Sequence, residues 1–166
     1  MNNNDTLHFK CLIIDTHKIN HKKYNAGDKE IGFYKFYYQL ILHCFSTQYK
    51  TARFIVKLDK RVSSYSLDDL KNVLNNGFNK KVGKRVYPFA NVEAVDSKKS
   101  EIMQLNDIIL GGIGYIKNGF HSLVGSKKAK VDLADYIQNK SGIYTFDVDT
   151  PYKQQRFKIW NFKLKK

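Results

Sequence analysis

Residues 92–116, VEAVDSKKSEIMQLNDIILGGIGYI, predict a strand that turns directly into a helix. From Ile102 onward, apolar side chains recur every three or four positions, which is the spacing of an amphipathic helix. Asp96 or Ser97 stands where the N-cap of that helix is expected, and Asp107 lies within it. The two aspartates therefore flank a transition that contains lysines. This arrangement has two interpretations: a metal-binding corner directed at phosphate, or a capped helix.

Aspartate ends three of the predicted strands. TLHFKCLIID, residues 6–15, predicts a strand that stops at Asp15. RFIVKLD, residues 53–59, predicts one that stops at Asp59, and the strand YPFANVEAV is followed by Asp96. Because strands alternate with helical patterns, the expected fold class is α/β, in which ligand sites lie beyond the carboxyl ends of the strands. The aspartates occupy those ends.

The other segments complete this alternation. IGFYKFYYQLILHCF, residues 31–45, predicts a helix with one wide buried face, after a polar loop over residues 16–30. Ser66 is positioned as the N-cap of the next helix, with acidic residues in its first turn. We expect one domain over residues 1–166 with a basic C-terminal extension over about 150–166. Within that extension, RFKIWNFKLKK predicts a short strand or an extended tail.

Small residues in the apolar segments also predict how these segments pack. Gly111 and Gly112 lower the stability of the helix that carries Asp107, so we expect this helix to lie close against another backbone. Cys11 and Cys44 lie in apolar segments and lack the spacing of metal ligands. They are expected to be buried thiols.

The chain is strongly basic. Its 166 residues include 29 Lys or Arg and 15 Asp or Glu, which give a net charge of +14 and a pI near 9.7. The positive electrostatic field of such a chain attracts polyanions, so nucleic acid is the expected partner. From charge alone, an anionic membrane, an acidic protein or a solubilising surface are alternatives. IILGGIGYI, the longest apolar run, is too short to span a bilayer and no secretory leader is recognisable, so we expect a cytoplasmic protein without a membrane partner.

The aspartates have the chemistry of a divalent-metal site. Mg²⁺ and Mn²⁺ prefer oxygen ligands, and two-metal phosphoryl-transfer sites use carboxylates from several elements. The candidate catalytic and metal-binding acids are Asp15, Asp59, Asp96 and Asp107. Gln104 precedes Asp107 by three residues and shares its helix face, where it could orient Asp107 or touch substrate. The alternative is that each aspartate only ends a strand or caps a helix.

Several of these motifs resemble one protein family. DSKKSEIMQLNDIILGGIGY, residues 96–115, is similar to the D-S-K-x-S-x-x-x-Q-L-x-D-x-x-x-G signature of the bacterial and phage proteins grouped as domain-of-unknown-function family 3800. The FKCLIID strand, the FYYQLI helix, the IVKLDKR strand and the terminal RFKIWNF add weaker matches, so the resemblance covers nearly the whole chain. It implies a ribonuclease H-like mixed sheet flanked by helices and incomplete at its N-terminus.

The resemblance also implies an activity. Ribonuclease H-like enzymes hold two metal ions between carboxylates and hydrolyse a phosphodiester, so a nuclease dependent on Mg²⁺ or Mn²⁺ is expected. By position, Asp15 resembles the acid of the fourth strand and Asp107 the acid of the last helix. Asp59 and Asp96 match acids that recur in the family. The residues expected to face the phosphate backbone are Lys98, Lys99, Lys127 and Lys128.

The N-terminal part of the chain departs from the family pattern. The family usually opens with a D-E-S-G strand, a hairpin and a helix ahead of the FKCLIID strand, whereas this chain starts almost at that strand. One expectation is that a second protein chain, or another copy in a homo-oligomer, completes the site. A second is a catalytically inactive module that binds nucleic acid or a protein, and a third is a truncated reading frame. A role in mobile-element or phage defence is an association of the family.

Overall fold

The chain forms two compact units of mixed helix and strand. A computed structural model describes residues 7–46, 51–154 and 156–164. The first unit comprises Met1–Asp15 with Glu101–Lys166, and the second comprises Thr16–Ser100. In chain order the elements are β1 (Phe9–Ile14), α1 (His21–Asn25), α2 (Lys29–Gln39), β2 (Phe54–Asp59), α3 (Leu67–Val82), β3 (Phe89–Val95), α4 (Glu101–Lys117), α5 (Lys128–Ser141) and β4 (Phe157–Phe162). Short 3-10 turns lie at Thr16–Lys18, Ser97–Lys99 and Phe120–Ser122, and a π-helical turn covers Leu40–Ser46.

These elements confirm the α/β class predicted from the sequence. The strands form two parallel pairs, β1 with β4 and β2 with β3. None of the helices formed by residues 7–46, 51–154 and 156–164 is long and apolar enough to cross a bilayer. The single domain expected from the sequence stays a prediction.

The first unit is built on the parallel pair of β1 and β4. The two strands are in register over their full lengths, starting with Phe9 opposite Phe157, whose rings lie 4.6 Å apart. The terminal segment predicted as a strand or a tail is therefore a strand. Helix α4 packs on this pair because its apolar stripe shares a core with both strands. The buried members of that core are Cys11, Ile113, Ile143, Phe146 and Ile159.

Gly112 marks the point where α4 approaches α5. A Cβ atom at this glycine would lie 3.6 Å from the Cα atom of Ala134 and 2.5 Å from Cδ1 of Ile137. The close backbone approach predicted from the paired glycines is confirmed here. A Cβ atom at Gly111 would meet no described atom of another element within 4 Å, so the same explanation does not extend to Gly111.

The second unit is built on β2 and β3, which pair in parallel with a bulge between Phe54 and Ile55. Helix α3 and the π-helical turn cover this pair. The buried core consists of Leu42, Leu70, Leu74, Phe78, Phe89 and Val92. Cys44 is buried in this unit and Cys11 in the other, as predicted.

The helices of the second unit begin at side-chain caps. Asp28 caps α2 by accepting hydrogen bonds from the backbone N–H groups of Glu30 at 2.6 Å and Ile31 at 3.4 Å. Together with the π-helical turn, α2 covers the helix predicted over residues 31–45. Ser66 caps α3 by accepting from the backbone N–H of Asp68 at 3.1 Å, which confirms the predicted start of that helix.

The predicted loop over residues 16–30 is wrong in part, because α1 lies within it. Asn20 caps this helix by accepting a hydrogen bond from the backbone N–H of Lys23 at 2.9 Å. The segment lacks the apolar periodicity by which a helix is recognised. A side-chain cap and contacts with α2 stabilise α1 instead.

Candidate functional site

Asp59 and Asp96 are neighbours at the carboxyl ends of β2 and β3. Asp59 is the last residue of β2 and is in register with Val95, so Asp96 follows one position beyond it on the adjacent strand. Both aspartates are exposed. Asp59 accepts a hydrogen bond from the backbone N–H of Ser97 at 3.3 Å, and Asp96 accepts one from Lys98 at 3.1 Å. Both acids therefore stabilise the 3-10 turn Ser97–Lys99. Because α4 begins only at Glu101, the N-cap predicted for this helix at Asp96 or Ser97 is wrong.

Asp15 and Asp107 belong to the first unit. Asp15 directly follows β1, and Asp107 lies in the middle of α4. Gln104 precedes Asp107 by one helical turn and therefore lies on the same side of α4. All three residues are exposed. Since α4 and β1 contribute to one core, the candidate acids of this unit lie on elements that pack together.

A metal site with three or more protein ligands is not formed within the part of the chain that the structure describes. No group of three or more His, Cys, Asp or Glu side chains there could hold a metal ion. Mg²⁺ can bind through one or two carboxylates when water and phosphate supply the other oxygens. A metal ion bound by Asp15 or Asp107 would therefore need further oxygen ligands from water, phosphate or another chain.

A cavity of about 210 Å³ opens beside the carboxyl end of β2. It lies within the second unit. The carboxyl end of a strand is where α/β folds commonly place ligand sites. Its lining combines three tyrosine rings, a serine hydroxyl, a guanidinium and a carboxylate. The residues involved are Tyr34, Tyr37, Asp59, Arg61, Ser63 and Tyr65.

One wall of this cavity is the loop after β2, which is bound to the start of α2. The Tyr65 hydroxyl donates to the Asp28 carboxylate at 2.5 Å, and Ser64 donates to Glu30 at 3.1 Å. The hydrogen bond from Tyr65 and the backbone N–H of Glu30 hold the pKa of Asp28 below its usual value. The same bond to Asp28 raises the pKa of Tyr65. Both groups thus keep the protonation states that the contact needs at neutral pH.

Arg61 is held in the same wall. Its guanidinium lies 3.4 Å from the Glu30 carboxylate and 5.0 Å from the centre of the Phe33 ring. Hydrogen bonds from Ser63 and Ser64, followed by the charge of Arg61, lower the pKa of Glu30. Because Glu30 neutralises part of its charge, Arg61 is a structural clamp of the loop rather than an open anion site. The sequence did not predict this clamp, because its partners lie about thirty residues apart.

A second depression, of about 300 Å³, lies between α2 and α3. Its walls are mostly apolar and include Ile31, Tyr38, Leu70 and Val73. Two of the aromatic side chains that line it also cover the core, since Tyr34 and Tyr38 pack against the buried cluster. Tyr34 and Tyr38 thus lie on the core-facing side of the helix predicted to have one wide buried face, and both are partly buried.

The positive charge is concentrated in the second unit. Thr16–Ser100 contains 17 Lys or Arg and 7 Asp or Glu, a net charge of +10. The remaining residues contain 12 Lys or Arg and 8 Asp or Glu, a net charge of +4. The predicted phosphate contacts divide between the two units: exposed Lys98 and Lys99 lie in the second, and exposed Lys127 and Lys128 lie at the start of α5 in the first.

A basic stretch in the second unit was not among the residues predicted from the sequence to contact phosphate. From Asn72 to Val92 the chain contains no Asp or Glu. Within this interval the cations cluster where α3 ends and in the loop that follows it. They are Lys80, Lys81, Lys84 and Arg85, and all four are exposed. The absence of acids over twenty residues is the signal that could have revealed this cluster.

Comparison with known proteins adds no family to these observations. A scan against protein-family models, a search of curated proteins and a search of solved structures each return no match. The resemblance to family 3800 therefore stays a prediction based on the motifs themselves.

Proposed function

We propose that the protein binds nucleic acid, mainly through its second unit. The observation that supports this proposal is the net charge of +10 on Thr16–Ser100. A polyanion that contacts several lysines releases condensed counterions, and this release favours binding without base-specific contacts. Lys98 and Lys99 follow β3 and Lys80 and Lys81 end α3, so exposed cations are available from two elements of the same unit.

The experiment is a titration of fluorescently labelled oligonucleotides by anisotropy over a range of salt concentrations. We expect the logarithm of the association constant to fall linearly with the logarithm of salt concentration, by about 0.7 per phosphate contact on a single strand. Polyglutamate serves as a competitor that carries charge but neither phosphate nor base. Lack of binding at low salt, or equal affinity for polyglutamate, would refute the proposal.

A second proposal is metal-dependent phosphodiester hydrolysis on a ribonuclease H-like fold. It is supported by Asp15 and Asp107, two exposed acids on packed elements of the first unit. With Mg²⁺ or Mn²⁺, these carboxylates would hold the ion and Gln104 would orient Asp107. The ion would act as a Lewis acid that polarises a phosphoryl oxygen. Asp59 and Asp96 would assist by holding the turn that leads into α4.

In this second proposal another polypeptide supplies the missing carboxylate. Apolar side chains near Asp107 on α4 support a protein partner, because Ile102 is 59% exposed, Leu105 43% and Ile108 50%. The partner is either a second copy of this chain or a different protein. The mass of the natively purified particle, with identification of copurifying chains, distinguishes these two sources.

The test of hydrolysis is a nuclease assay on that particle with added Mg²⁺ or Mn²⁺. We expect Asp15→Asn and Asp107→Asn to abolish cleavage and to leave oligonucleotide binding unchanged. Asp135→Asn is the matched control, since Asp135 is another exposed helical aspartate of the first unit. Equal cleavage by all three variants would exclude a catalytic role for Asp15 and Asp107. A monomer that binds without cleaving would leave the nucleic-acid-binding module as the function.

A further inference from the structure

We propose that residues 80–87, KKVGKRVY, form a binding strip for single-stranded nucleic acid. This inference rests on the proposed nucleic-acid binding and assigns that binding to one surface. The strip runs from the last turn of α3 through the loop that leads to β3. It combines a cluster of positive charge, a restrained backbone and an exposed aromatic ring.

The charge of the strip exceeds what the helix itself requires. Lys80 and Lys81 lie in the last turn of α3, where cations stabilise the helix dipole. Gly83 ends the helix in the left-handed conformation, with φ of 66°. Lys84 and Arg85 lie beyond this point and are exposed, so a helix-terminal role does not account for them. Their placement suits contact with successive phosphates.

Two asparagines of α3 restrain the loop. The side-chain oxygen of Asn79 accepts a hydrogen bond from the backbone N–H of Val86 at 2.9 Å. Buried Asn75 accepts from the N–H of Phe89 at 3.0 Å and donates to the Phe89 carbonyl at 3.1 Å. The backbone that leads from the end of α3 to β3 is therefore held at Val86 and Phe89, and it loses less conformational freedom on binding than an unanchored loop would. Such preorganisation reduces the entropic cost of binding.

Tyr87 offers a surface for a nucleobase. The residue is 63% exposed, and Arg85 donates from Nε to its hydroxyl at 3.2 Å. This contact places a guanidinium at the hydroxyl end of the ring. Proteins that bind single strands combine basic residues with aromatic rings on which bases stack. In a duplex the bases already stack on one another, so the ring favours a single strand.

The first experiment compares three variants by anisotropy with an oligothymidylate and with a duplex. For Lys84→Ala/Arg85→Ala, we expect the salt slope on the single strand to fall by about 1.4, or about 0.7 for each lost contact. For Tyr87→Ala, we expect a loss of about fivefold to a hundredfold in single-strand affinity at unchanged slope. Tyr87→Phe keeps the ring and should keep most of the affinity.

The matched control is Lys57→Ala/Lys71→Ala. It removes the same charge from the same unit, but Lys57 already lies 3.9 Å from Glu93 and Lys71 lies 2.5 Å from Asp68. We expect this control to retain nearly the wild-type slope. If the control and the strip variant lose equal affinity, binding is spread over the charged surface of the unit, and its assignment to the strip is wrong. Equal losses on single strand and duplex would refute the preference for a single strand.

Photo-crosslinking provides a test that does not depend on the folding of any variant. Wild-type protein is irradiated with an oligonucleotide that contains bromodeoxyuridine, and the modified peptide is identified by mass spectrometry. A crosslink at Tyr87 or its neighbours in the strip is expected. A crosslink confined to other peptides would overturn this site and leave nucleic-acid binding intact. Lack of binding by the wild type would instead refute the proposed function itself.

Discussion

Asn75 is the residue whose replacement should most clearly disturb the second unit. Its side chain is 5% exposed and forms two hydrogen bonds with the backbone of Phe89, one to the N–H and one to the carbonyl. Phe89 begins β3 and is 2% exposed. Asn75 therefore connects α3 to the first residue of a core strand. Asn75→Ala removes both bonds and leaves two buried backbone groups without partners.

The expected cost follows from those two groups. Each buried polar group that loses its partner costs about 1–3 kcal/mol, and alanine restores about 0.6 kcal/mol of helix propensity relative to asparagine. We expect the free energy of unfolding to fall by about 1–5 kcal/mol, a substantial part of the 5–15 kcal/mol typical of a small protein. The midpoint of unfolding should fall accordingly.

Urea unfolding followed by circular dichroism measures this loss. Asn76→Ala is the matched control, because Asn76 is the next residue of α3 and is exposed. It carries the same gain in helix propensity without the loss of the two bonds, so its stability should rise slightly. If Asn75→Ala and Asn76→Ala unfold at the same urea concentration, then Asn75 does not stabilise β3 as its geometry indicates.

Two further predictions concern packing and pH. In Gly77→Ala the new Cβ atom would lie 2.8 Å from Cε2 of Tyr38, so we expect lower thermal stability. Gly111→Ala is the matched control: its Cβ atom would meet open space among the described residues, and its free energy of unfolding should rise by about 1 kcal/mol. A stabilised Gly77→Ala would show that the Tyr38 ring yields freely. Burial, and next the charge of Lys81, lower the pKa of His43 below its usual 6.5. The folded state therefore resists protonation of His43, and stability should fall as pH drops from about 6.5 toward the folded pKa. Urea midpoints should depend less on pH in His43→Gln, and an unchanged pH profile would contradict the linkage.

Local signals in the sequence predicted much of the fold. Ser66 was recognised as a helix cap because the residue type and the acidic first turn act within a few positions of one another. The strands that end at Asp15, Asp59 and Asp96 were recognised from short apolar runs. Such signals depend on neighbouring residues, so one sequence suffices to detect them.

Contacts between distant segments escaped prediction for a physical reason. The pairing of β1 with β4 joins residues at opposite ends of the chain, and the hydrogen bond between Asp28 and Tyr65 spans thirty-seven residues. Many pairings of this kind are compatible with the same apolar patterns. Which pairing forms depends on how the whole unit buries its surface, and periodicity alone does not encode that outcome.

The candidate aspartates differ in whether the fold explains their positions. Asp59 and Asp96 accept backbone hydrogen bonds in the turn before α4, so their position is explained without a metal ion. This explanation does not cover Asp107, which lies in the middle of a helix, where no terminal N–H groups need a cap. The presence of an exposed acid there needs another explanation, and solvation of the helix surface is the simplest one. Asp107→Asn therefore separates the two ideas: a solvated acid can be neutralised without loss of cleavage, whereas a metal ligand cannot.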